Sequence, residues 1–168
     1  IINAVFHLDS GGKTVNNENV WGGQPVPYLR GKDDDNSDYS PKKKWDLEIS
    51  YKEIISKFGI EPKEIFVAYN NADRVEEIVF NDTKTTKSIT GDKFRIALGN
   101  NRIFSNYMEI ENDKKNERLL ITGRGFGHGV GASQWGMYNL AKKGYNYQKI
   151  IKFYYQNVKI EDEQDVIF

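Results

Sequence analysis

Cysteine is absent from this 168-residue chain, which excludes disulfides and thiolate metal sites and leaves the compartment open. Histidine is scarce, with only His7 and His128. A zinc site needs three or four ligands, and no carboxylates are spaced to complete one, so neither a metal nor a cofactor is expected. Net charge is also missing: 24 basic residues balance 24 acidic ones, so no overall field draws the chain to nucleic acid or an anionic membrane. No run approaches the roughly 20 apolar residues of a membrane span. The start, Ile1-Ile2-Asn3-Ala4, lacks the basic residues and long apolar stretch of a signal peptide.

What the chain has in excess is glycine at regular spacing. Gly123, Gly125, Gly127, Gly129 and Gly131 occupy every second position around Arg124, Phe126, His128 and Val130, and the run continues through Ala132-Ser133-Gln134-Trp135-Gly136. In an extended strand alternate residues share a face. The spacing therefore predicts a ridge of bare backbone, open to another backbone or to a flat ligand. Glycine in a strand adds no packing and costs backbone entropy, so five in register call for such a reason. The pattern also overlaps the loose dinucleotide motif, but its third glycine is out of register and no strand-helix-strand unit follows.

Length and patterning predict one α+β domain over residues 1–168, an antiparallel-rich mixed sheet with three to four short helices and a β-rich lobe inserted at 60–120. Ile2, Ala4, Phe6 and Leu8 alternate as in a strand, and a strand at residue one suggests a trimmed piece of a longer protein. Residues 31–44, with Asp33-Asp34-Asp35-Asn36 before Lys42-Lys43-Lys44, read as a solvated loop without the ligand spacing of a calcium loop. Ser50-Tyr51-Lys52-Glu53 is a capping box, followed by Tyr51, Ile54, Ile55 and Phe58 on one helical face and Gly59 as a stop. A hairpin over 64–80, a capped helix at 90–99, a strand through Met108 and Ile110, and a strand at 119–122 come next. Two helices capped by Ser133 and Asn146 close the chain, with a last strand at Val158-Lys159-Ile160 and an acidic end.

Candidate chemistry centres on the two histidines. His7 shares a strand face with Asp9, which could fix its tautomer, and His128 sits in the glycine run. Each imidazole either serves a ligand or satisfies a buried backbone group, and the residues alone leave both open. Aromatic residues make up 13% of the chain. Rings such as Trp21, Tyr28, Tyr39, Trp45, Trp135 and Tyr138 can stack on the apolar faces of sugars while their polar tips stay wet. With Asn, Gln and Ser near the ladder they favour an uncharged, carbohydrate-like ligand over phosphate.

The run Gly125 to Met137, then Ala141-Lys142-Lys143-Gly144-Tyr145 and Ile150-Ile151-Lys152-Phe153-Tyr154-Tyr155, closely resembles the C-terminal signature of the stage II sporulation protein D family. That family includes proteins called amidase enhancers. The resemblance extends to Ala4-Val5-Phe6-His7 through Thr14, Val20-Trp21-Gly22, Val26-Pro27-Tyr28-Leu29 and Thr90-Gly91 with Phe94-Arg95, and so covers nearly the whole chain.

The resemblance implies a lytic transglycosylase outside the cytoplasm of a spore-forming bacterium, anchored by an N-terminal membrane helix at the engulfing septum. Its substrate would be glycan strands denuded of stem peptides. Its partners would be the amidase, stage II sporulation protein P, and a membrane protein M; no nucleic acid is implied. Cleavage would be non-hydrolytic, with one carboxyl serving as acid and then base. The family's catalytic glutamate lies in a segment of the type Pro-x-Glu-Ala-x-Lys-Ala-Gln-Ala ahead of the Phe-His region, and this chain contains no match. The catalytic role is therefore carried onto none of Glu48, Glu53, Glu61 or Glu64. Zinc, which some clostridial relatives hold with cysteines, is not carried over either. The expected substrate-binding residues are His7, Ser10, His128, Ser133 and Gln134. The alternative is a non-catalytic peptidoglycan-binding or amidase-activating module.

Overall fold

Two apolar clusters organise the protein, in a computed structural model that describes residues 1–36 and 38–161. In chain order the described residues form β1 (Phe6–His7), α1 (Glu18–Trp21), β2 (Lys44–Ser50), α2 (Tyr51–Phe58), β3 (Glu64–Tyr69), β4 (Val75–Asn81) and β5 (Thr86–Thr90). These are followed by α3 (Gly91–Leu98), β6 (Met108–Asp113), a 3-10 turn (Lys114–Asn116), β7 (Arg118–Arg124), β8 (Ala132–Ser133), α4 (Gln134–Lys142) and α5 (Tyr147–Tyr154). The architecture is α+β. Its two three-stranded sheets, ordered β2-β7-β6 and β3-β4-β5, are antiparallel, and β1 pairs with β8 in parallel.

The first cluster fills the space between the two larger sheets, α2 and α3. Ser50 ends β2 and caps α2, its Oγ accepting from the Glu53 amide at 3.2 Å. The Glu53 carboxylate does not complete the box. It pairs with Arg102 at 2.5 Å and ties α2 to the turn after α3. Tyr51, Ile54 and Phe58 face inward, Ile55 stays exposed, and Gly59 ends the helix at φ 68°. Phe58, Phe80 and Phe94 stack with ring centroids 5.6–6.2 Å apart, joining α2, β4 and α3. The β3-β4-β5 sheet lies within 60–120, but β6 belongs with β7 and β2, and this cluster runs from Trp45 to Ile121.

The second cluster packs α4 and α5 against the N-terminal loops and the end of the glycine run, through Val15, Leu29, Val130, Ala132, Leu140, Ile150 and Tyr154. Ser133 and Asn146 cap the two helices, accepting from the Gly136 amide at 3.1 Å and the Lys149 amide at 3.0 Å. Inside it the Tyr154 hydroxyl donates to Asp34 Oδ1 at 3.0 Å. Burial, and then the Asp34 carboxylate, raise the phenol well above its ordinary range, so it stays a donor.

Several elements differ from the sequence reading. Gly123 lies in β7, but from Gly125 to Gly131 the glycine run is not a strand: Gly125, Gly127, Gly129 and Gly131 take φ of 72°, 109°, 81° and 71°. Strand β1 shrinks to Phe6–His7 because its only strand partner is the two-residue β8. Val158–Ile160 has no partner strand among the described residues and is not a strand, although Val158 packs on the second cluster. The helices number five among the described residues, the extra one being the single turn α1, and β5 was not anticipated. Asp34 is fully buried, so the acidic run is not wholly solvated. From residue 162 onward the acidic end lies outside the described residues.

Gly136 has no room for a side chain: a Cβ there would overlap the Tyr154 hydroxyl and meet Asp34 Oδ2 at 3.0 Å. Helix propensity alone would make Gly136→Ala stabilising by about 1 kcal/mol. The packing predicts the opposite, a loss of about 2–4 kcal/mol as the Tyr154–Asp34 bond breaks and a buried carboxylate is left with Asn36 as its remaining side-chain donor. Urea unfolding read by far-UV circular dichroism decides the sign.

Candidate functional site

The parallel β1–β8 pair sets His7 opposite Ser133, and the loop before β8 brings His128 up against His7. The two imidazoles meet edge to face with centroids 5.6 Å apart. What makes this possible is close backbone approach. The Asp9 amide donates to the Phe126 carbonyl at 3.0 Å and the Phe126 amide returns a bond to the Asp9 carbonyl at 2.8 Å. Further along, the Val15 amide donates to the Gly129 carbonyl at 2.9 Å and the Ala132 amide to the Val5 carbonyl at 3.2 Å. A Cβ on Gly125 would come within 2.7 Å of the Asp9 carbonyl oxygen and the Gly11 nitrogen. The bare backbone is thus consumed by the chain's own N-terminal loop rather than offered to a ligand. Val130 is fully buried in the second cluster, whereas His128 is half-buried.

His7 is 4% exposed, and its Nδ1–H donates to the Val130 carbonyl at 3.1 Å. This bond, not Asp9, fixes the tautomer; Asp9 Oδ1 accepts from the Gly11 amide at 2.8 Å. Burial lowers His7 to about 3, against the raising effect of the Val130 bond and with smaller contributions from His128 and Arg74. His128 accepts the Val130 amide on Nδ1 at 3.1 Å, which leaves its proton on Nε2. Burial lowers His128 as well, the Phe6 backbone opposes that, and Arg74 and Arg95 add to it. Both rings are neutral near pH 7.

His128 is half-buried and opens onto a pocket of about 360 Å³ whose walls include Asn70, Arg74, Thr90, Asp92, Arg95, Asn106 and Gly127. Trp21, 53% exposed, stands over the imidazole with ring centroids 5.0 Å apart. Glu18 also lines the pocket, but its bond to Arg30 holds the carboxyl below the usual range. Asp92 accepts from the Asn106 amide at 2.7 Å. A larger groove of about 780 Å³ runs along β6 between Tyr69 and Arg124, and neither histidine lines it. Among the described residues no group of three His, Asp or Glu is placed to hold a metal ion.

Of the residues expected to bind a ligand, only His128 reaches this pocket. Ser10 is fully buried, its Oγ accepting from the Gly12 amide at 3.2 Å. Ser133 is fully buried as the cap of α4. His7 touches the site through His128, and Gln134 is exposed at the start of α4 away from the pocket. The pocket residues that sequence reasoning missed are Arg74 and Arg95, together with Asn70 and Asn106. Arg74 sits at the end of a hairpin turn that reads as polar and solvated, and nothing in the local pattern marks it as buried.

No protein-family model matches the chain. Over 96% of its length it is 32% identical to an uncharacterized protein of Brachyspira hyodysenteriae, of which it covers 44%. Over the same share it is 30% identical to stage II sporulation protein D of Bacillus subtilis, covering 46% of that protein. Over 42% of its length it is 37% identical to an amidase enhancer of Bacillus subtilis, of which it covers 10%. The chain spans somewhat less than half the length of the first two relatives. With similarity running almost from end to end, and with the glycine-histidine loop that carries the family's signature packed around the site, the chain belongs to the stage II sporulation protein D family.

Proposed function

We propose that this chain is the glycan-binding part of a sporulation cell-wall protein that acts on peptidoglycan strands stripped of their stem peptides. The parent protein would be a lytic transglycosylase anchored outside the cytoplasm, working after an amidase such as stage II sporulation protein P and beside a membrane protein M. The observation that carries this reading is the exposed Trp21 ring, tilted against a neutral His128 that lines a polar pocket. An indole face packs on the C–H face of a pyranose. Glu18, held ionised by Arg30, does not serve as the proton donor near neutral pH. The general acid of the family reaction is expected from its glutamate segment, which no glutamate of this chain matches.

A second reading is a module that stimulates an amidase, and the similarity to an amidase enhancer over 71 residues favours it. Adding the chain to an amidase digest of intact peptidoglycan separates the two. Stimulation without glycan affinity supports the second reading; glycan affinity without stimulation supports the first.

Two outcomes are expected for the purified chain. Trp21→Ala, at an exposed ring, and His128→Ala should each weaken binding of a stripped glycan oligomer about tenfold or more by calorimetry, a loss of about 1.4 kcal/mol. Unchanged affinity in variants with wild-type melting curves would remove both residues from the site.

The second outcome concerns acid. The folded His7 titrates at about 3 against an ordinary 6.5, so between those values the unfolded chain holds a proton that the native chain does not. Stability is therefore full above pH 6.5 and falls as pH drops toward 3. His7→Asn should flatten that part of the stability–pH curve measured by urea unfolding, whatever its effect at pH 7.

A further inference from the structure

Arg74 occupies a place where a core normally holds an apolar side chain. It is 4% exposed, and among the described residues no carboxylate lies within ion-pair distance of it. Its Nη2 reaches the Ser10 and Lys13 carbonyls only at 3.5 and 3.4 Å, and its Nε has no partner. The guanidinium lies 5.2 Å from the Tyr107 ring centre, and a Cβ on Gly129 would overlap it. Backbone and ring therefore enclose the cation without neutralising it.

Taking a cation out of water with no counter-charge costs several kcal/mol, and the nearby acids are committed elsewhere. Glu18 is clamped by Arg30 at 2.7 and 2.8 Å, and Asp92 accepts from Asn106. Asp73, next in sequence, pairs with Lys13 at 3.5 Å. Glu76 is exposed at the rim. Arg95, the pocket's second cation, donates through Nε to the Ile103 carbonyl at 2.8 Å. Burial lowers both arginines, Arg74 to about 10, which leaves it charged at neutral pH. The floor of the pocket is thus cationic beneath an acidic rim, an arrangement that admits a single negative charge better than a doubly charged phosphate.

We propose that Arg74 is the specificity-determining residue of the His128 pocket and binds the free carboxylate of an acidic sugar, the lactyl carboxylate of muramic acid. The proposal rests on the glycan reading above and deepens it. In an intact strand that carboxyl is tied up as the amide that begins the stem peptide; once the peptide is removed the carboxylate is free. Arg74 would then read stem-peptide removal as the appearance of a charge, with Trp21 and His128 holding the neutral part of the sugar.

The test is calorimetry on the whole chain with three oligosaccharides of equal length. One alternates N-acetylglucosamine with N-acetylmuramic acid, one is the same oligomer with its lactyl groups converted to methylamides, and one is an N-acetylglucosamine oligomer. The wild type should bind the free acid at least about tenfold more tightly than the other two, the scale of one charge-assisted hydrogen bond. Arg74→Gln should erase that preference, bringing the free acid to within about twofold of its methylamide. Equal wild-type affinity for acid and methylamide overturns the proposal, even if Arg74→Gln fails to fold, and leaves the glycan reading standing. A wild type that binds none of the three overturns both.

Discussion

The site depends on one constraint: two loops approach closer than any side chain would allow. Gly11 and Gly125 face each other, and a Cβ on either would fall within 2.9 Å of the other's backbone nitrogen. Paired amide–carbonyl bonds between Asp9 and Phe126 lock that approach. Because the loop at 125–131 is tied to the strand at Phe6–His7 in this way, His128 has one position against His7, and the Val130 backbone can bond both rings at once. The alternating glycines are left-handed hinges that let a polypeptide turn at every second residue. They are the means of building the pocket rather than its surface.

A second buried bond secures the same region from the far side. Asp34 Oδ1 accepts from both Tyr154 and Asn36, and its amide donates to the Gly12 carbonyl at 2.9 Å. One residue, through its carboxylate and its backbone amide, thereby joins the acidic loop, the loop that carries Gly11, and α5. Gly136 completes the arrangement, since only a bare Cα lets the first turn of α4 lie against that pair. Glycine at this point in a helix is a propensity cost accepted for packing.

Local features were legible in the sequence wherever the interaction is local. Ser50, Thr90, Ser133 and Asn146 each cap the helix they precede, because a cap needs only a side-chain oxygen and an amide three residues on. The hairpin at 64–80 was equally plain. Alternation in the first eight residues misled, because a strand exists only where another strand pairs with it, and here that partner is Ala132–Ser133 alone. The glycine spacing identified the right segment with the wrong conformation: period two fits a strand and a chain of left-handed turns equally well. The two histidines stood out in the sequence, but their meeting depends on whether their segments abut, which the motifs do not decide; the burial of Asp34 and Arg74 was not legible either, since charged residues in turns are ordinarily solvated.

The protonation states decide what the pocket's own residues do. His128 gives its Nδ1 lone pair to the Val130 amide, and burial holds the ring below its ordinary pKa. His7 is buried neutral behind it, and the Arg74 cation pushes both imidazoles further from protonation. An imidazole whose lone pair is already given to a backbone amide and whose pKa is lowered is poorly suited to take a proton from a substrate. What it presents is a ring face, next to the ring of Trp21. Among the described residues that line the pocket, Arg74 is a buried cation with no carboxylate partner. Shape and stacking fall to the histidine and tryptophan, charge recognition falls to the arginine, and the glycine loop that excludes side chains brings all three to one opening.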